Sequence, residues 1–329
     1  MSTNAFAERA KSILFNLKEC LTSYDALYDA FNMRGYLRHL PTPLFLRLYI
    51  RRVFGHSIDL KHPKTFNEKL QYLKLHDHNP LYTQLADKYA VRAYVADKIG
   101  GEYLIPLIGV WDSPDEIDFD QLPEQFVLKA THDSGSIYVC RDKKTRACVC
   151  KDKKIIAFED VKKQLAEALS RNFYCTSREW PYKNIRPRII CERYIAECDG
   201  ADLKDHRFFC FDGTPKAVSI DIDTLTNHRR NFYNPQWERL PCALGYPAAP
   251  DTVIPKPENF DDMLRIAGEL SKGIPHVRVD LYNIGGKIYF AELTFFHANG
   301  SQKFTPPEWD VTFGDWLSLD NVYDRRAEK

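Results

Sequence analysis

The segment HVRVDLYNIGGKIYFAELTF, residues 276–295, constrains this chain more than any other. Two alternating runs flank Gly285-Gly286, the pattern of an antiparallel hairpin turning between Asn283 and Gly286. Val277, Val279 and Leu281 alternate with Arg278 and Asp280, and Ile288, Phe290 and Leu293 surround Glu292 in the partner strand. Closing the hairpin at the glycines brings Asp280 and Glu292 near each other on one face. Two carboxylates so placed repel unless a cation or a proton intervenes. Magnesium suits them, because it needs only one or two protein carboxylates beside phosphate oxygens and water. Taken alone, the same residues also read as solvated strand acids.

The whole chain has 329 residues, enough for a large core and two or three subdomains around a cleft. A formal net charge of +1 supplies no global field for gripping nucleic acid, so no nucleic acid is expected as partner. No N-terminal run has the form of a signal peptide, and no stretch approaches a membrane span. The nine cysteines form no CxxC pair, and Cys191 and Cys210 sit in apolar, strand-like runs. Reduced, mostly buried thiols and a cytoplasmic location are therefore expected. Cys148 and Cys150 lack partners at zinc-binding spacing.

Residues 1–60 read as helices. Ala5 to Tyr24 and Pro43 to Val53 carry apolar residues at helical spacing. The second interleaves Arg47, Arg51 and Arg52 with Leu, Ile and Tyr, which fits a helix packed on the body or one lying on a membrane surface. Thr65 and Glu68 form a capping-box pattern ahead of the next helix. A turn at Asn79-Pro80 leads into one helix, LYTQLADKYAVRAYVADKIG, closed by Gly100 and Gly101. The character then changes. YLIPLIGVW, QFVLKATH and SIYVCRD are strand-like, 154–171 is helical, and RIICERYI is a strand. DHRFFCFDGTPKAVSIDID reads as a hairpin turning at Asp212-Gly213, and 257–273 as a helix. Helices followed by antiparallel hairpins give an α+β class.

Three further segments carry chemistry. FVLKATHDSGS runs Lys129 from a strand into a loop with Ser134, Gly135 and Ser136. A strand lysine reaches phosphate oxygens as a point charge, and a small-residue loop lets backbone N–H groups approach them. GxxxxGK[ST] is absent, so this is no Walker loop, and an ordinary hairpin turn has the same look. RIICERYI can lay its backbone along a flat base, with Glu192 on the amino group or ribose and Tyr194 and Ile195 flanking the ring. DHRFFCFDG and NHRRNFYN supply Asp205, Arg207, Arg229, Arg230 and Asn231. Arginines there stabilise charge on a transferred phosphoryl group, or else form surface ion pairs.

The order of these elements resembles the ATP-grasp superfamily. TFNEKLQYLKLHD, PLYTQLADKYAVR, EYLIPLIGVWDSPDEIDFDQLP, FVLKATH, RIICERYI, LTNHRRNFYN and VRVDLYNIGGKIYFAELTF look like its teichuronopeptide-biosynthesis-like (TupA-like) branch. That branch is found among capsule and surface-polysaccharide genes. The match covers about residues 40–315. It implies an ATP-grasp fold, two α+β subdomains clasping ATP after an N-terminal helical region. The divisions it implies are 1–60, 61–125, 126–195 and 196–329. It also implies a carboxylate–amine ligase: ATP phosphorylates a carboxylate to an acyl phosphate, and an amine attacks to give an amide, ADP and phosphate.

Carried over by residue, Lys129 contacts the nucleotide phosphates and Ser134 to Ser136 cover them. Glu192, Tyr194 and Ile195 sit at the adenine hinge, with Asp205 also on the nucleotide. Arg207 and Arg230 face the acyl phosphate, and Asp280 and Glu292 bind Mg2+. Thr294 stands where many relatives have a metal-binding Asn, and Asn299 is the substitute. Asp133 stands in a loop that many relatives write T-H-G-S-G, and Arg207 where close relatives often have lysine. His132, His228 and His297 lie near these elements, and any could be base for the amine. The implied partners are ATP, a carboxylate-bearing sugar or glycan intermediate, and an amine or amino acid. Peripheral membrane association through a lipid-linked substrate is part of the same expectation. The alternatives are a glycosyltransferase using Asp221-Ile222-Asp223 as its acidic pair, a sugar or lipid-intermediate kinase, and a degenerate scaffold.

Overall fold

The computed structural model describes residues 23–33, 36–196, 203–222, 227–320 and 322. The helix expected over Ala5–Tyr24 therefore lies almost wholly outside the described residues, as does Asp223. The chain divides into two compact units, 1–63 and 64–329. No helix among the described residues is long and apolar enough to cross a membrane.

The first unit holds α1 (Tyr24–Met33) and α2 (Thr42–Phe54), joined through a 3-10 turn at Tyr36–His39. Pro43 opens α2 and Gly55, at φ 79°, closes it, so both ends follow the usual asymmetry of helix termini. Two of the three interleaved arginines are used within the unit. Arg52 pairs with Asp29 at 2.9 Å and Arg51 lies 4.8 Å from the Tyr24 ring.

The second unit begins at α3 (Phe66–His76), and the expected capping box is formed. Thr65 accepts from Glu68 N, and Glu68 accepts from Thr65 N at 3.1 Å. The single helix expected next is in fact two, α4 (Leu81–Ala86) and α5 (Val91–Lys98). Asp87 makes the break: it ends α4, and its carboxylate accepts from Tyr89 N at 2.8 Å and Ala90 N at 3.3 Å in the turn before α5. Arg188 holds Asp87 at 2.8 Å, and Lys88 N donates to Thr131 O. The break frees Lys88 from a helix face, and its side chain lines the cleft.

Then come β1 (Leu107–Trp111), β2 (Phe126–Ala130), β3 (Ile137–Cys140), β4 (Ala147–Cys150) and β5 (Ile155–Ala157). After these follow α6 (Phe158–Leu169), the short α7 (Tyr174–Ser177) and β6 (Ile189–Arg193). The helix expected from 154 thus starts later, because 155–157 pair with β4. The sheet order is β1-β6-β2-β3-β4-β5, antiparallel throughout. Alternation splits it into two faces. Phe126, Leu128, Ile189 and Cys191 pack with Phe158, Val161 and Leu165 of α6. Val127, Lys129, Ile137, Val139, Ile190 and Glu192 fall on the other face, toward the cleft.

The second sheet uses β7 (His206–Phe211), β8 (Thr214–Ile222), β9 (Arg229–Tyr233) and β10 (Arg239–Leu240). It is completed, after β11 (Ala243–Leu244) and α8 (Phe260–Ser271), by β12 (Val277–Ile284) and β13 (Lys287–Thr294). Its order is β10-β9-β8-β7-β12-β13, while β11 pairs separately with β14 (Phe304–Thr305) ahead of α9 (Glu308–Trp316). Both predicted tight turns are present. Asp212 and Gly213 have φ of 45° and 78°, Gly285 and Gly286 of 55° and 84°, the left-handed pairs that a two-residue hairpin turn needs.

Val277, Val279, Leu281, Phe208 and Cys210 pack under Phe260, Met263 and Leu270 of α8. On the opposite face Phe209 meets Phe313 of α9 edge-on at 5.6 Å, and Phe313 meets Phe66 of α3. Further along that same face the residues become charged, and there the cleft begins.

Candidate functional site

Three hollows share walls and form a continuous cleft in the second unit. The first is a slot of about 190 Å³ lined by Val127, Ile137, Val139, Ile195, Leu203 and Tyr282, with Tyr194 alongside. It shares Lys129, Ile137, Glu192 and Tyr282 with a second hollow of about 170 Å³, whose other walls are charged. That one shares Arg278 and Glu292 with a third, of about 370 Å³.

Register explains the charged hollow. Asp280 pairs directly with Glu292 on one side and with Arg207 on the other. A bulge between Asp280 and Leu281 leaves Ala291 without a partner in β13, which keeps Glu292 on the cleft face while Phe290 stays in the core. Arg278, one pleat away on that face, grips both acids. Its Nε donates to Asp280 Oδ1 at 2.7 Å, and Nη2 reaches Asp280 Oδ2, Glu292 Oε1 (3.1 Å) and Thr294 Oγ1 (3.0 Å). Burial pushes the Asp280 carboxyl up to about 6, against Arg278, which favours its charge. Burial also works against Glu292, but Arg278 and Lys88 outweigh it and hold that carboxyl below its ordinary value.

The donor set fits magnesium. Among the described residues no group of three or more His, Cys, Asp or Glu converges as a metal cage. Two opposed carboxylates suit a hard cation that takes its remaining ligands from phosphate and water. Glu292 Oε2 carries no protein hydrogen bond among the described residues, so one ligand oxygen is at hand.

Arg207 and Arg230 meet at Asp221. Arg207 donates to Asp221 and, at 2.6 Å, to Asp205, with Nε 3.9 Å from Asp280. Arg230 binds both Asp221 oxygens, at 2.6 and 3.1 Å. Burial opposes the Asp221 charge, yet the two arginines hold its carboxyl well below the usual range. Both Asp221 oxygens are thus taken by guanidinium groups, as both Asp280 oxygens are by Arg278. Arg207 lines the cleft, and Arg230 stands behind it.

Lys129 and Glu192 lie two residues apart diagonally across β2 and β6 and pair at 2.7 Å. Arg92 of α5 adds a second bond to Glu192 at 3.0 Å. The expected loop closes the β2–β3 hairpin, with Gly135 at φ 135°. Asp133 turns its carboxylate onto Ser136 of the same loop, while its carbonyl accepts from Lys88. The Asp133 carboxylate is thus bonded within its own turn. Ser134 lines the third hollow. Asn299 also lines it, but its amide oxygen accepts from Lys74 rather than standing beside Asp280.

Each of the three histidines has close neighbours, although His132 Nδ1 and His228 Nε2 make no hydrogen bond among the described residues. His132 is buried against Ala168 O at 3.0 Å. His228 stacks on Tyr246 at 3.6 Å, 3.1 Å from Asp221. Arg278 can only donate, so His297 Nδ1 accepts at 2.6 Å and its Nε2–H must point to Gln302 Oε1 at 2.9 Å.

Sequence reading did not single out Arg278, Lys88, Arg92 or Tyr282. Arg278 had a legible signal, two positions before Asp280 on the same face. Lys88 and Arg92 were concealed by the helix break at Asp87.

A family model described as TupA-like ATPgrasp matches residues 68–318. No curated protein sequence matches the chain. Among solved structures, a D-alanine–D-alanine ligase from Bacillus anthracis aligns over 74% of this chain and 70% of its own, at 15% identity and a TM-score of 0.39. The same enzyme complexed with ATP gives 13% identity, 74% and 67% coverage and 0.40. An N5-carboxyaminoimidazole synthetase from Staphylococcus aureus, complexed with ADP, gives 10% identity, 64% and 44% coverage and 0.35. Likenesses this distant transfer no residue roles.

Proposed function

The chain belongs to the TupA-like ATP-grasp family, and we propose that it is an ATP-dependent, ADP-forming carboxylate–amine ligase of surface-polysaccharide assembly. The observation that carries this reading is the opposition of Asp280 and Glu292 across one register position, in a charged hollow that adjoins an apolar slot. Such a cleft suits a ligand with a flat apolar ring at one end and a polyanion at the other.

In this reading the slot takes adenine against Val127, Val139 and Tyr282, with Tyr194 and Ile195 at its edge. Lys129 and the loop Ser134–Ser136 reach the phosphates. Glu192 orients Lys129 and also meets the ribose side of the nucleotide, and Asp205 steadies Arg207. Asp280 and Glu292 hold magnesium, which when bound neutralises phosphate charge. A substrate carboxylate oxygen attacks the terminal phosphorus, the bridging P–O bond breaks, and ADP leaves. Arg207, backed by Arg230, faces the charge that builds on the transferred group. The acyl phosphate then passes to an amine. Catalysis here is mostly positioning and charge neutralisation, with closure of the loop excluding water.

The carboxylate is proposed to be a uronic acid or similar sugar acid, the amine an amino acid or simple amine, and the setting cytoplasmic. A lipid-linked intermediate would add peripheral membrane contact. These substrate classes rest on the family resemblance. The test is ADP release in the presence of uronic acids and amino acids. The proposal expects release only when both a carboxylate and an amine are supplied. A stable phosphorylated product without any amine would replace it with a kinase.

A further inference from the structure

Past Arg278 and Glu292 the cleft opens into the third hollow, of about 370 Å³. Three aromatic rings wall it: Phe173, Tyr182 and Phe296. Phe173 meets Tyr182 edge-on at 4.9 Å. Into this wall the short segment after α7 sets Glu179, only 5% exposed. Its backbone N–H is used by Ser177 Oγ, but its carboxylate has no hydrogen-bond partner among the described residues. Burial pushes the carboxyl up to about 7, partly offset by Lys74 and reinforced by Glu292. Lys74 lies behind Phe296, 5.5 Å from the ring, and donates to Asn299 O at 2.9 Å.

A largely buried carboxylate without a protein hydrogen bond is costly unless water or a ligand in the hollow completes it. Of the other acids of the wall, Asp133 is bonded to Ser136, while Glu292 is bonded through Oε1 to Arg278 and Thr294 and its Oε2 is the oxygen that the ligase reading gives to the metal. An acid beside aromatic faces is the chemistry that receives an ammonium group. The hollow is also lined by Glu292, one of the two carboxylates that the ligase reading gives to the metal, so a ligand there lies beside the reacting end of the nucleotide. None of the three histidines lines the hollow.

We propose that the third hollow holds the amine co-substrate as its ammonium ion, and that Glu179 binds that ammonium and takes its proton. This rests on the ligase reading and adds to it the acceptor pocket and its base. The ammonium R′NH3+ gives one proton to Glu179. The freed nitrogen pair forms the C–N bond to the acyl carbon, the C–O bond to phosphorus breaks, and its electron pair leaves with phosphate. The second N–H proton goes to that phosphate, and the amide keeps the third.

The test is calorimetric titration of the full chain with benzylamine and with benzyl alcohol, in an amine-free buffer at about pH 8.5, where a carboxyl is ionised and an amine still largely charged. Wild type is expected to bind benzylamine about tenfold more tightly than the alcohol, a difference of about 1.4 kcal/mol. Glu179→Gln should erase that preference, and Glu179→Asp should retain part of it. Equal affinity for the two probes in wild type, or an undiminished preference in Glu179→Gln, overturns the proposal. Titrating ATP with magnesium into the same wild-type sample keeps the two claims apart. Failure there counts against the ligase reading, whereas the probe comparison reports on the hollow alone.

Discussion

The two six-stranded sheets follow one construction and turn opposite surfaces to the cleft. Each buries an alternating apolar face under one helix, α6 for the first and α8 for the second. The intervening residues differ. On the first sheet they are Val127, Ile137, Val139 and Ile190, interrupted by the Lys129–Glu192 pair. On the second they are Arg207, Arg278 and Asp280, with Glu292 and Asp221 beside them. In the proposed reading the first surface selects a flat ring by shape and apolar contact. The second holds like charges together only through precise pairing, so it is electrostatically committed and intolerant of a missing partner.

That difference orders the expected effects of substitution. Arg278→Ala strips the cation from two opposed acids, and urea unfolding should report a loss of about 3–5 kcal/mol. A loss below about 1 kcal/mol would mean that water or backbone already satisfies those carboxylates. Val139→Trp fills the slot. Affinity for AMP, ADP and ATP should fall together by about thirtyfold, near 2 kcal/mol, with little change in the unfolding midpoint. An effect confined to ATP would place the ring elsewhere. Lys129→Met should weaken ADP and ATP by about tenfold, roughly 1.4 kcal/mol, and spare adenosine. Glu192 keeps Arg92 in that variant, so the fold is expected to hold. The surface pair Arg186–Asp112, at 2.7 Å but more than half exposed on both sides, is the contrasting case. Its removal should change stability by less than about 0.5 kcal/mol.

The charged surface was legible because it broke an apolar alternation. Asp280 and Glu292 interrupt runs of Val, Leu, Ile and Phe, and the glycine turn sets their register. Even the bulge leaves a trace, since the buried positions run 288, 290 and then 293. The edge of the slot at Glu192, Tyr194 and Ile195 was legible too, but its apolar floor was not, for the converse reason. Val127, Val139 and Ile190 look the same in sequence whether they face a core or a ligand, and only the lack of a helix over that face tells them apart. Lys88 was lost to a local effect: Asp87 reads as one more polar residue in a helical run, yet it ends α4 and its side chain accepts from the backbone of the turn that follows. Glu179 lies between two short helical turns, where no periodicity marks which side chain turns inward.

The central claim is that the cleft binds ATP together with magnesium through Asp280 and Glu292. It is tested most directly by titrating ATP, with and without Mg2+, into the wild-type chain and into Asp280→Asn and Glu292→Gln. The account predicts that magnesium strengthens ATP binding in wild type, and that both variants lose this enhancement while still binding adenosine. Magnesium-independent binding in wild type, or an undiminished magnesium effect in both variants, would contradict it.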